Sequence, residues 1–97
     1  MAAYTEEEIQ HSLRDVPEWE RNKGSIERTF TFSEYLDGIQ FVNKLGAIAE
    51  EKDHHPYIGV DYGKVTVSLT SHDVKGLSAR DFDLAQRYDE AYTNLED

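Results

Sequence analysis

The hydrophobic period of the chain changes several times, and each change marks an element. Residues 5–14 read as a short helix, with Ile9 and Leu13 four apart on one face and Glu6, Glu7 and Glu8 in the first turn. Thr5 followed by Glu8 has the capping-box spacing, and Pro17 marks the stop. Trp19 and Glu20 ahead of Asn22-Lys23-Gly24 predict a short strand and a turn. Residues 25–32 alternate, with Ile26, Phe30 and Phe32 on one face and Glu27, Thr29 and Thr31 on the other; Arg28 breaks the apolar parity. Over residues 34–52, Leu36, Ile39, Val42, Leu45 and Ala49 recur at helical spacing, and Ser33 is placed to cap that helix. Gly38 and Gly46 lower its propensity but permit close packing on a sheet. Residues 57–62 and 64–72 read as a hairpin turning at Gly63, with Ile58, Val60 and Tyr62 alternating and then Val65, Val67 and Leu69. A final helix over 79–94 presents Phe82, Ala85, Tyr88 and Tyr92 on one side behind the capping pair Ser78 and Asp81, and Asn94 to Asp97 are expected to fray.

The element order is helix, strand, strand, helix, strand, strand, helix. Strands that come as hairpins make an antiparallel sheet, and strands with one apolar face ask for helices on that face only. The expected fold is α+β, a two-layer sandwich of a four-stranded antiparallel sheet with three helices on one face. The open face is available to a partner or to a second copy of the chain. The length, 97 residues, fits one domain over 1–97.

Charge narrows the class of partner. The chain has 20 acidic against 10 basic residues, a net charge of −10, which argues against nucleic acid and against an anionic membrane surface. There is no cysteine, so disulfides and thiolate chemistry are excluded. The acidic N-terminus and the lack of a long apolar run give a cytoplasmic protein as the expectation.

The chemistry candidates are the histidines, the side chains whose unperturbed pKa lies nearest neutrality. His11 lies in the first helix, whereas His54, His55 and His72 lie at element ends. His54-His55-Pro56 occupies the corner between the long helix and the third strand, where both rings can face one pocket. Hairpin geometry brings the end of the fourth strand, and so His72, beside that corner. Glu50 stands four residues before His54, within pairing reach on a continuing helix, though it also fits a solvated acidic face with Glu51 and Asp53. Asp81 reads either as a helix cap or as a carboxylate that orients an imidazole. Three histidines can bind zinc, but no H-E-x-x-H spacing occurs and neighbouring residues seldom share one ion, so no metal is expected.

Glu50, His54-His55-Pro56, Tyr62, His72 and Asp81, at these spacings, resemble the signature of the pterin-4a-carbinolamine dehydratases. Pro17-Glu18-Trp19, Phe30-Thr31-Phe32, Ala49-Glu50 and Gly76-Leu77-Ser78 are also similar to that family, and the likeness covers about residues 5–90. Tyr57 departs from it, standing where many members carry an acid, and so does Ser71, before the last histidine. The resemblance implies dehydration of 4a-hydroxytetrahydropterin to quinonoid dihydropterin, in tetrahydrobiopterin recycling, with no cofactor. It implies His54, His55 and His72 as catalytic, with His54 and His72 sharing the acid and base roles and His55 polarising the pterin. Glu50 and Asp81 become orienting carboxylates, and His54, His55, Pro56, Ser71, His72 and Asp73 the substrate contacts. Trp19 is a further candidate there, weighed against a place in the core or as cover for the sheet. A homodimer or homotetramer is implied as well, and a non-catalytic protein-binding role on the same fold is the alternative.

Overall fold

A computed structural model describes residues 2–95. Its elements are α1 (Glu6–Leu13), β1 (Glu20–Asn22), β2 (Ser25–Thr31), α2 (Tyr35–Lys52), β3 (Tyr57–Asp61), β4 (Lys64–Leu69) and α3 (Ala79–Asn94), with a single 3₁₀ turn at His72–Val74. The sheet is antiparallel throughout in the order β1-β2-β4-β3, so the fold is the expected α+β sandwich. α3 runs through Asn94, and Glu96 and Asp97 lie outside the described residues.

The capping box at Thr5 forms. Its N–H donates to Glu8 Oε1 at 2.8 Å, and the Glu8 N–H donates to Thr5 Oγ1 at 3.2 Å. The register sets Ile26 opposite Leu69 and Phe30 opposite Val65, and these four side chains are buried against the helices. On the other face, Thr29 and Thr66 sit opposite each other with hydroxyls 3.1 Å apart. Arg28 shares the inward face because Asp89 of α3 meets its guanidinium at 2.7 Å and the Phe30 ring lies 4.3 Å beneath it. Trp19 is buried, and its indole N–H donates to the same Asp89 carboxylate at 2.8 Å. That places Trp19 in the core.

Two details of α2 differ from the expectation. Ser33 does not cap it; Glu34 occupies the cap position without a side-chain hydrogen bond. The buried stripe is Gly38, Phe41, Leu45 and Ala49, whereas Leu36 is 67% exposed. Phe41 sets this phase. Its ring packs 4.7 Å from Phe30 and 5.7 Å from Tyr92, a larger apolar contact than Leu36 or Ile39 would make there. Gly38 faces the sheet, where an added Cβ would come within 3.4 Å of Val65, while at Gly46 an added Cβ would meet nothing within 4 Å.

Candidate active site

The corner after α2 is built by a left-handed residue. Asp53 has φ 50°, its N–H donates to the Glu50 carbonyl, and the next N–H, of His54, donates to the Ala49 carbonyl at 3.1 Å. This pair of bonds is the Schellman closure, and aspartate is among the few non-glycine residues that enter αL readily. The reversal swings His54 off the α2 face and in toward α3. Its side chain is 11% exposed, and Nε2 lies 2.7 Å from Asp81 Oδ1. His55 turns the other way: its ring is 56% exposed and Nε2 lies 2.5 Å from Glu50 Oε2. The two neighbours therefore do not face one pocket. Glu50 serves His55, not His54, because the helix ends before the i,i+4 pairing with His54 can be made.

Asp81 fulfils both of its readings at once. It is fully buried. Oδ2 accepts the Ser78 N–H at 2.9 Å, closing the N-terminus of α3, and accepts the Ser71 hydroxyl at 2.9 Å, while Oδ1 faces His54. A carboxylate only accepts, so the proton between the two is carried by His54 Nε2.

His72 does not extend β4, which ends at Leu69. Instead it opens the 3₁₀ turn and is exposed. The turn is closed by a bridge, with the Ser71 N–H donating to the Gly76 carbonyl at 3.0 Å and the Gly76 N–H donating back at 3.2 Å. Hairpin geometry still delivers the neighbourhood. Extending the register that sets Tyr57 opposite Ser68 back to the corner brings His54 beside Ser71, where Asp81 bridges the two. Asp73 lies on the same turn, its carboxyl held below the usual carboxylate range chiefly by the hydrogen bond from the Arg80 guanidinium at 2.5 Å.

The structure thus gathers His54, Ser71, Asp73 and Asp81 about one junction, with His55 and Glu50 on its outer edge, while His72 follows Ser71 in the chain and lines a hollow with Asn22, Gly24 and Thr70. Pro56 is partly exposed at the start of β3. Ser71, an expected substrate contact, is fully buried with its hydroxyl already engaged, so it faces protein. His11 stays on α1, exposed, beside a hollow of about 690 Å³ that runs along that helix. A smaller hollow of about 270 Å³ is lined by His72, Thr70, Lys75 and Asn22. Cavity size therefore does not mark the histidine junction; chemistry does. Sequence reasoning found the Ser78–Asp81 cap but missed Arg80, whose contact with Asp73 carries no local signal, and the hydroxyl contact between Ser78 and Ser71. Among the described residues, no cluster of three His, Asp or Glu side chains has the geometry to hold a metal ion.

The fold is an α+β sandwich that holds His54 against a buried carboxylate at one end of its second hairpin. The family pattern described as pterin 4 alpha carbinolamine dehydratase matches residues 2–91, and the chain belongs to that family. A Picosynechococcus protein carrying the provisional name pterin-4-alpha-carbinolamine dehydratase is 49% identical over 89% of this chain and 94% of its own length. A Natronomonas pharaonis protein with the same provisional name is 43% identical over 89% and 91%. The crystal structure of a protein described as a transcriptional coactivator/pterin dehydratase from Brucella melitensis superposes with a TM-score of 0.89 at 27% identity, over 93% of this chain and 98% of that one. A pterin dehydratase-like protein described as a RuBisCO assembly factor shares the fold at a TM-score of 0.64 and 21% identity, over 76% and 86%.

Proposed function

We propose that this protein dehydrates 4a-hydroxytetrahydropterin to quinonoid dihydropterin and water, in the recycling of tetrahydrobiopterin. The observation that carries the reading is the buried His54–Asp81 pair, 2.7 Å apart, beside the turn that presents His72. The C4a hydroxyl is a poor leaving group at neutral pH, and a protonated imidazole turns it into water as the C–O bond breaks. The electron pair that completes the new double bond comes from the neighbouring ring nitrogen, which gives its proton to a neutral imidazole. One proton is donated and one accepted, so the pair of histidines ends with the count it began with.

His54 suits the base role. With Nε2 donating to Asp81, its Nδ1 lone pair is free to take the proton, and the carboxylate stabilises the imidazolium that forms. His72, exposed on its turn, is the partner acid, and His55, held by Glu50, binds and polarises the pterin. Positioned groups of this kind are worth about 10²–10⁴-fold each. Residue chemistry alone supplies every step, so no cofactor enters the scheme. A homodimer or homotetramer is part of the same reading, as the family resemblance implies. No helix among the described residues is long and apolar enough to cross a membrane, and we place the protein in the cytoplasm. The rival role, a protein-binding or assembly module, gives no reason for a histidine to be paired at 2.7 Å with a fully buried carboxylate.

The test is turnover of freshly generated 4a-hydroxytetrahydropterin by His54→Ala and His72→Ala proteins against the unmutated chain. Each substitution is expected to cost at least about a hundredfold in turnover with the fold intact. Full activity in both variants would overturn the assignment.

A further inference from the structure

We propose that Ser71 is a positioning residue that ties the two proton-transferring histidines to one buried carboxylate; the proposal rests on the dehydratase reading of the site. Ser71 is fully buried, and its hydroxyl lies 2.9 Å from Asp81 Oδ2 and 2.8 Å from the Ser78 hydroxyl. A hydroxyl has one proton to give and lone pairs to spare. Asp81 can only accept, so Ser71 donates to it and accepts from Ser78.

The consequence is a fixed carboxylate. Oδ2 receives two donors, the Ser71 hydroxyl and the Ser78 N–H at 2.9 Å, and this directs Oδ1 to His54 Nε2. Without the hydroxyl, Oδ2 keeps only the Ser78 amide and the Ser78 hydroxyl loses its acceptor. Burial leaves bulk water no access to replace either bond.

The main chain of the same residue holds the other histidine. The Ser71 carbonyl accepts the Val74 N–H at 3.2 Å and the Gly76 N–H at 3.2 Å, and its own N–H donates to the Gly76 carbonyl at 3.0 Å. These bonds close the turn that begins with His72. One residue therefore anchors the His54 carboxylate through its side chain and the His72 turn through its backbone. A displacement at Ser71 moves both histidines relative to each other, and proton transfer is sensitive to small errors of this kind.

Ser71→Ala and Ser71→Thr test the proposal. The backbone at Ser71 is extended, at φ −112° and ψ 95°, a conformation threonine adopts readily, so Ser71→Thr keeps the hydroxyl. The alanine variant is expected to lose roughly tenfold in kcat, the scale of one buried hydrogen bond, with KM for the carbinolamine unchanged, and the threonine variant to recover kcat. ¹⁵N NMR of the His54 ring should show a single Nε2–H tautomer in the unmutated protein and a mixture in Ser71→Ala. Should alanine unfold the chain, Ser71→Cys carries the same comparison with a weaker donor. A raised KM at constant kcat would make Ser71 a substrate contact and overturn the proposal. So would unchanged kcat, an unchanged His54 tautomer, or a folded threonine variant that recovers nothing. The tautomer readout needs no turnover, so it decides the role of Ser71 even if the dehydratase reading fails.

Discussion

Replacing Asp81 by asparagine changes the charge at the centre of the site and almost nothing of its shape. The Ser78 N–H must still find an acceptor at the Oδ2 position, 2.9 Å away, so the amide oxygen takes that place. The amide NH₂ then stands where Oδ1 stood, 2.7 Å from His54 Nε2, and directs a donor at it. His54 can accept there only with its proton on Nδ1. The substitution thus inverts the tautomer and removes the lone pair that acts as base. Turnover should fall by about 10²–10⁴-fold, the worth of one positioned base. Stability should fall by only about 1–3 kcal/mol, since the hydrogen bonds survive as weaker neutral ones and one buried charge disappears. Stopped-flow absorbance of the carbinolamine, ¹⁵N NMR of the His54 ring and thermal melting measure the three quantities on one preparation. Turnover within twofold of the unmutated protein, with the tautomer inverted, would refute His54 as the base. An Nε2–H ring in the Asp81→Asn protein would refute the pairing itself.

Three further substitutions test the packing around the site. Tyr88→Phe should stabilise the protein by about 1–2 kcal/mol in denaturant titrations, because the Tyr88 hydroxyl is buried without a hydrogen-bond partner. Burial also pushes that hydroxyl from 10.0 up to about 12, so stability intact below pH 10 should decline as pH rises toward 12, and Tyr88→Phe should abolish that loss. Asp89→Ala strands the Arg28 guanidinium, whose side chain is 17% exposed, and the Trp19 N–H; a loss of about 3 kcal/mol with normal turnover is expected in melting and rate measurements. Arg80→Ala should raise the Asp73 carboxyl titration seen by ¹³C NMR, since Arg80 is the main cause of its depression. In the unmutated protein the stability linked to Asp73 is present above its unfolded pKa and is lost as pH falls through the lowered folded value.

The fold was legible because period-2 and period-3.6 patterns are local and dense here: the hairpin around Gly63 and the helix from Ala79 to Asn94 lie where the alternation puts them. The phase of α2 was not legible. Phe41 wins the buried face through contacts with Phe30 and Tyr92, residues 11 and 51 positions away in the chain, which no local pattern encodes. Arg28 likewise looked like an interruption because its partner, Asp89, lies on the last helix. At the site, the residue types and their spacing were informative and the pairings were not. Assigning Glu50 to His54 follows from continuing the helix. The left-handed turn at Asp53 breaks that continuation and exchanges the partners, giving His55 to Glu50 and His54 to Asp81. Ser71, expected among the substrate contacts, is buried because the start of the last helix packs over this hairpin end, where Ser78 and Asp81 engage its hydroxyl.

The central claim is that the unmutated chain removes water from a pterin carbinolamine. The measurement that reaches it most directly is the decay of freshly generated 4a-hydroxytetrahydropterin, followed by absorbance with and without the protein. The account predicts decay that accelerates with protein concentration and saturates with substrate, with quinonoid dihydropterin as the product. Decay at the buffer rate in the presence of well-folded protein would contradict it and leave the histidine junction without the chemistry assigned to it.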